Sequence, residues 1–454
     1  MQRMRISRRL LGMWPATIGA GLLGAMLYLL GRERKRDADA PILGGWPRVV
    51  VIGAGFGGLR TARALAGAEV EVTLLDQHNY HLFQPLLYQV ATAAVEPEEI
   101  AHPVRRILKR VRNVRFRLAI VQGIDFAERT VRTDGGPVPY DYLVVASGST
   151  TNYFNIPHLE EHALSLKDLG QAVALRNHLL EQFERVGAEA DPQRRAAMLT
   201  FVVAGGGPTG VEYAGALAEL IRLVLVQDYP ALDTQDVRVV LVEGAPHLLP
   251  PMADGLRKSA LKKLREKGVE VRLNTMVKDY DGERIVLSDG SAIASHTLVW
   301  NAGVRATDLG RAMGVELARG GRVPVQPTLQ LAGHAEVFVI GDLAYLEIKG
   351  SPLPMVAPVA LQQGEHVAAT IRRDLAGQPR QPFRYRDRGT MATIGRNAAV
   401  AQIGRLEVTG FFAWMLWLTV HILLLVGFRN RLLVMVNWAW DYLFFDRAVR
   451  LISK

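Results

Sequence analysis

Along this chain, short uncharged runs of Val, Ile and Leu alternate with longer stretches where apolar residues recur every three or four positions. The first pattern predicts buried strands and the second amphipathic helices. Val49–Ile52 is such a run. It breaks into Gly53-Ala-Gly55-Phe-Gly-Gly58, and Leu59-Arg-Thr-Ala-Arg-Ala-Leu65 continues at helical spacing. Gly-x-Gly-x-x-Gly between strand and helix has a mechanism. Gly53 permits the tight turn, Gly55 lets the backbone approach a pyrophosphate, and Gly58 lets helix and strand pack closely. The helix N-terminus then offers unpaired N–H groups and a positive dipole end to phosphates. Val70–Leu75 supplies a second strand, and Asp76 closes it, placed to accept from a ribose hydroxyl.

The pattern recurs. Leu199–Ala204 leads into Gly205-Gly-Gly207-Pro-Thr-Gly210 and a helix of small and apolar residues, and Val237–Val242 ends at Glu243. A carboxylate there bonds a ribose diol and repels a 2′-phosphate, which favours NAD over NADP. The spacing from Gly210 to Glu243 exceeds the usual ~20 residues, so a long helix and a loop over 228–236 are expected. Other strand-like runs end in small residues, where backbone can touch a ligand: Tyr140–Ala146 before Gly148, and Thr297–Trp300 before Asn301 and Gly303. Ala335–Ile340 ends in Gly341-Asp342. That pair suits a flavin's sugar-alcohol chain, or else Asp342 simply caps a helix. The segment 77–93, with Gln84, is rich in groups that hydrogen-bond or stack, although its composition also fits a surface loop.

Charge sharpens the picture once it is located. The net +10 over 454 residues concentrates in 1–36 (+7) and 396–454 (+4), beside the two most apolar segments. A nucleic-acid binder would carry its excess on the folded body, so the expected partner is an anionic membrane surface. Leu10–Gly31 is uncharged for 22 residues with four basic residues on each side, long enough to span a bilayer as a helix. An uncleaved anchor is expected, with an interfacial helix or a cleaved targeting segment as alternatives. Near the other end, 410–427 and 432–447, with Arg429 and Arg431 between them, mix Trp, Phe, Leu and Arg, as in helices lying at headgroup depth. A homodimer interface is the rival use of this segment, and His421 reads as a packed histidine. No cysteine is present, which excludes disulfide chemistry, thiolate metal sites and iron–sulfur clusters.

The order of these motifs resembles the flavoproteins with two dinucleotide-binding domains. Within them the chain is similar to the type II NADH dehydrogenases. The residues that carry the likeness are Asn79–Gln89, Gly205–Glu212, Val356–Gly364 and Phe428–Arg431. It covers Arg48 to the C-terminus.

The resemblance implies an α/β fold of two Rossmann-like domains, an FAD domain with an inserted NADH domain, plus C-terminal membrane-associated helices and the N-terminal apolar helix. The implied divisions are 1–47 (anchor and linker), 48–165 and 297–395 (FAD), 166–296 (NADH) and 396–454 (membrane-associated). FAD would be held by Gly53, Gly55, Gly58, Asp76, Gln84, Ala146, Gly148, Gly341 and Asp342. NADH would be held by Gly205, Gly207, Gly210, Glu243, Asn301 and Gly303.

Glu212 matches a family glutamate near the flavin–nicotinamide contact, or is a polar residue at a helix start. Gln362 and Gln363 would flank the quinone, or are solvated helix residues. Many members have Ala-Gln where this chain has Ala357-Pro358, so one amide is missing here. The implied activity is NADH oxidation with two-electron quinone reduction and no proton pumping. The implied location is the cytoplasmic face of a bacterial inner membrane, or alternatively the mitochondrial inner membrane. A reductase of a soluble acceptor and a membrane-tethered flavin redox sensor are the rival functions.

Overall fold

The computed structural model describes residues 45–230, 232–444 and 451–452. The expected N-terminal anchor and the stretch around Asp446 lie outside them. Two parallel sheets repeat one topology. In the first, Arg48–Ile52 is central, with Glu71–Asp76 and then Val114–Leu118 on one side. Tyr142–Val145 and His334–Val339 follow on the other side, and Gln330–Leu331 adds an antiparallel edge. In the second, Thr200–Ala204 is central. Arg238–Val242 and Val269–Arg272 lie to one side, Thr297–Trp300 and Leu164–Ser165 to the other. Strand order reverses beside each central strand, and ligands of open α/β sheets bind at such switch points.

The second sheet is inserted between Tyr142–Val145 and His334–Val339 of the first. Two of the expected divisions shift. Thr297–Trp300, all four residues buried, pairs with Thr200–Ala204 and belongs to the inserted sheet, as does Leu164–Ser165. The crossings between sheets are Ser149–Thr151 and Val304–Ala306, which pair antiparallel with each other. The division expected at 395/396 cuts an antiparallel sheet of Thr390–Thr393, Ala399–Ile403 and Leu406–Thr409. The long spacing after Gly210 has a visible cause. Helix Pro208–Leu220 runs into a π-helical turn, Ile221–Leu225, before the chain reaches Arg238–Val242.

Buried polar groups tie loops to this frame. Asn113 donates its amide to the carbonyls of Leu65, Ala68 and Val70, and accepts from Gly67 N–H at 3.1 Å. One side chain thus satisfies the turn between the first helix and the second strand.

The C-terminal helices Gly410–Leu424 and Phe428–Phe444 dock through buried Ala413, Trp417, Leu425 and Val434. Asn430 donates to the carbonyls of Glu98 and Glu99, and Asn437 to the Glu99 carboxylate. No helix among the described residues is long and apolar enough to cross a membrane.

Helix Ala357–Leu375 lies against helix Phe56–Ala64 through glycines on both sides. A Cβ at Gly364 would stand 2.5 Å from the Gly57 carbonyl oxygen, and Thr61 Oγ1, bonded to the Gly57 carbonyl of its own helix, also reaches the Gly364 carbonyl across the contact. Gly364→Ala is therefore expected to force the helices apart at a cost of about 1–3 kcal/mol. Calorimetry should show a lowered apparent melting temperature, and an unchanged one would contradict this contact.

Candidate functional site

The two glycine turns are near copies. Gly53 has φ +98° and Gly205 φ +107°, a region open to glycine without strain. A Cβ on Gly58 would sit 1.9 Å from the Gly53 carbonyl oxygen, and one on Gly210 1.9 Å from that of Gly205. The middle glycines differ. At Gly55 and Gly207 a Cβ would meet nothing within 4 Å. No side chain caps either following helix. Each turn therefore presents free helix N–H groups to open space, which suits a pyrophosphate.

The acids at the strand ends face these turns. Asp76 accepts from the N–H of Ala54 at 2.6 Å and of His78 at 2.7 Å, and burial raises its carboxyl against those bonds. Glu243 accepts from the N–H groups of Gly206 and Ala245. Each oxygen retains a second lone pair that can take a ribose hydroxyl.

Around the first turn the structure gathers several of the sequence candidates. The Ala146 carbonyl abuts Gly53. Gly148, two residues on, accepts from Thr307 N–H, while Ser147 and Thr307 share a hydroxyl contact of 2.6 Å. Gly341 N–H donates to Gln363 Oε1 at 2.7 Å. Asp342 caps no helix. It accepts from the Ser149 hydroxyl and lies 3.8 Å from Lys167 Nζ. Burial lowers the Lys167 ammonium, with Asp342 opposing. Gln84 donates to the Lys167 carbonyl at 3.4 Å.

At the second turn, the Asn301 carbonyl abuts Gly205, and a Cβ on Gly303 would strike the Phe154 ring. Asn301 Nδ2 is buried with no hydrogen-bond partner. An orphaned amide beside the glycine turn suits a bound dinucleotide as its acceptor.

Glu212 is 8 % exposed, on the helix after the second turn. It accepts from Thr393 N–H at 3.3 Å and Trp417 Nε1 at 3.2 Å. Burial pushes its carboxyl up to about 8 despite both donors. Gln363 is buried behind Gly341, and Gln362 pairs both its amide groups with the Arg386 backbone. Gln363 is therefore no solvated helix residue, whereas Gln362 is only half-buried. Pro358 stands in the first turn of its helix, where an N–H has no intrahelical partner anyway.

The roles of Ser149, Lys167 and Trp417, and the Gln89–Trp438 bond of 2.7 Å, have no local signature in the sequence. Nothing in their spacing marks them, because each meets its partner across 160 or more residues. His421 stacks on Trp417 at 4.0 Å, and burial lowers it to about 4, so it is neutral at pH 7.

Comparison with known proteins agrees with this geometry. Residues 47–364 match the pyridine nucleotide-disulphide oxidoreductase family, and 388–447 match the NDH2 C-terminal domain. The type II NADH:quinone oxidoreductase Ndh of Mycobacterium tuberculosis is 43% identical over 411 residues, spanning 87% of this chain and 88% of that protein. The internal alternative NAD(P)H-ubiquinone oxidoreductase A1 of Arabidopsis thaliana mitochondria is 31% identical, over 88% of this chain and 84% of that one. The structure of NDH2 from Plasmodium falciparum in complex with NADH superposes with a TM-score of 0.83 at 19% identity, covering 90% of this chain and all of that one. That last likeness shows the shared fold. By family model and by identity to its relatives, the chain belongs to the pyridine nucleotide-disulphide oxidoreductases and, within them, to the type II NADH:quinone oxidoreductases.

Proposed function

We propose that this chain oxidises NADH through FAD and passes two electrons to a membrane quinone without pumping protons. One observation carries the reading. The aromatic C-terminal helices are bonded to both halves of the cofactor machinery: Trp417 to Glu212 behind the second glycine turn, and Trp438 to Gln89 in the segment that follows Asp76. A lipid-facing element fastened to both dinucleotide units is what a quinone reductase needs, and a reductase of a soluble acceptor has no use for it.

In this reading the first turn, Asp76, Gln84, Ala146, Gly148, Gly341 and Asp342 hold FAD, while the second turn, Glu243, Asn301 and Gly303 hold NADH. The flavin supplies hydride acceptance and two-electron delivery. The chain supplies the rest. Gln363 fixes the Gly341 amide, and Gln362 positions the 386 loop. Glu212, protonated at neutral pH, holds a proton inside the fold for a quinone whose reduction takes up two.

The outer face of the helix pair supports attachment to lipid. Phe412 is 77% exposed, Leu443 67%, Val436 53% and Trp440 51%. Such a surface suits helices lying in the bilayer interface, on the cytoplasmic face if the host is a bacterium.

Three outcomes are expected. Glu243→Gln removes the charge that opposes a 2′-phosphate, so the preference for NADH over NADPH in kcat/KM should shrink by about tenfold or more. An unchanged ratio would release Glu243 from that role.

For Glu212, the raised carboxyl means the native state keeps this proton up to about pH 8. Its stabilising contribution is full below the ordinary carboxyl range and is lost as pH rises through about 8. Quinone reduction at saturating NADH should decline over that last range. In Glu212→Gln the decline should vanish and the rate fall by about 100-fold, with FAD content retained. A variant that keeps the wild-type pH profile would sink the proton-holding role.

Deleting the C-terminal helices would expose buried core, since Ala413, Trp417 and Val434 are at most 1% exposed. Phe412→Glu with Leu443→Glu is the cleaner test of attachment. The pair should detach from vesicles and lose turnover with long-chain quinones while keeping it with a water-soluble one. Dissociation of a dimer, with vesicle binding intact, would instead mark this face as a contact between copies.

A further inference from the structure

Between Glu99 and Asp125 the chain has no acid and seven Arg or Lys residues, all within 105–117. The near-zero net charge of the folded body conceals this cluster. Its apolar positions are Val104, Ile107, Leu108 and Val111, the helical spacing of a one-sided stripe. Val104 and Leu108 are buried in the core of the first sheet, with Ile107 and Val111 packed against it. Arg105, Arg106, Lys109, Arg110 and Arg112 are consequently turned outward, and all five are exposed.

The placement of this cluster is what gives it meaning. The residues just before it are covered by the C-terminal helix pair. Asn430 donates to the carbonyls of Glu98 and Glu99, and a Cβ on Gly427 would stand 2.9 Å from the His102 ring. The next two residues after Gly427 are Phe428, 49% exposed, and Arg429, also exposed. A basic surface thus adjoins the rim of the apolar face.

We propose that residues 105–110, with Arg429, form an anionic-lipid contact that seats the enzyme on negatively charged bilayers. This rests on the membrane reading above and deepens it, by naming the headgroup chemistry and the residues. Lipid is favoured over nucleic acid because the cluster abuts an exposed apolar rim, which a duplex would leave uncovered. Exposed Arg and Lys beside an anionic leaflet each strengthen attachment, and the effect fades within a Debye length.

The test uses the FAD-loaded full chain and a combined variant, Arg106→Gln, Lys109→Gln and Arg110→Gln, in sedimentation with phosphatidylcholine vesicles with and without phosphatidylglycerol. Turnover with a water-soluble quinone in detergent should be unchanged, showing that the exposed replacements leave the fold intact. Wild type should partition at least about tenfold more strongly onto phosphatidylglycerol vesicles, a preference that high salt removes. The variant should lose most of that preference, keeping only what the basic residues of 1–36 and 396–454 supply.

A variant that keeps the preference, or a wild type without one, would overturn the proposal while leaving apolar attachment standing. Wild type that binds neither vesicle would overturn the membrane reading with it. Retention on duplex DNA at physiological salt through these residues, with no lipid preference, would make the cluster a nucleic-acid surface instead.

Discussion

At Gly58 and again at Gly210, the helix backbone lies so close to its own strand that a single methyl group would fall 1.9 Å from a carbonyl oxygen. This near-contact brings each helix N-terminus over the end of the sheet, where its unpaired N–H groups can meet phosphate. The remaining candidate groups are arranged around those two points. Ala146 and Asn301 abut the first glycine of each turn, and the carboxylates of Asp76 and Glu243 bond the adjacent turn amides. The inserted sheet therefore repeats the construction of the sheet that contains it, down to the acid that closes the second strand.

A small number of polar bonds fix distant segments against one another. Gln363 reaches from its helix to the Gly341 amide, and Ser149 and Lys167 converge on Asp342 from the crossing strand and from the entry to the inserted domain. Two indole N–H groups fasten the C-terminal helices to Glu212 and Gln89. Buried groups of this kind are costly when unpaired, so each bond fixes where two distant segments must meet. The same burial keeps Glu212 protonated near neutral pH. Packing of the C-terminal helices and the proton state of the site are thereby one physical matter.

Charge is segregated in the same way as polarity. The apolar outer surface of the helix pair has a basic border at 105–110, and the chain from 37 to 395 nets close to zero with that border included. Pro358 shows how a departure from the family pattern is absorbed. It occupies the first turn of a helix, where the N–H it lacks has no intrahelical partner.

The sequence alone determined the parts whose signals are local. Strand, glycine turn, helix and closing acid follow one another along the chain over Val49–Asp76 and, with a longer spacing, over Leu199–Glu243, so both units were legible. The apolar and aromatic character of 410–444 was legible for the same reason. The tertiary structure decided what depends on distant partners. Thr297–Trp300 reads as a buried strand, but only pairing with Thr200–Ala204 assigns it to the inserted sheet. Gln362 and Gln363 are neighbours in the chain, yet one holds the Arg386 backbone and the other holds Gly341. Lys167, Trp417 and the burial of Glu212 carry no local signature. A side chain's hydration and hydrogen-bond partners arise from residues far away in the chain, and those are brought together only when the sheets and helices pack.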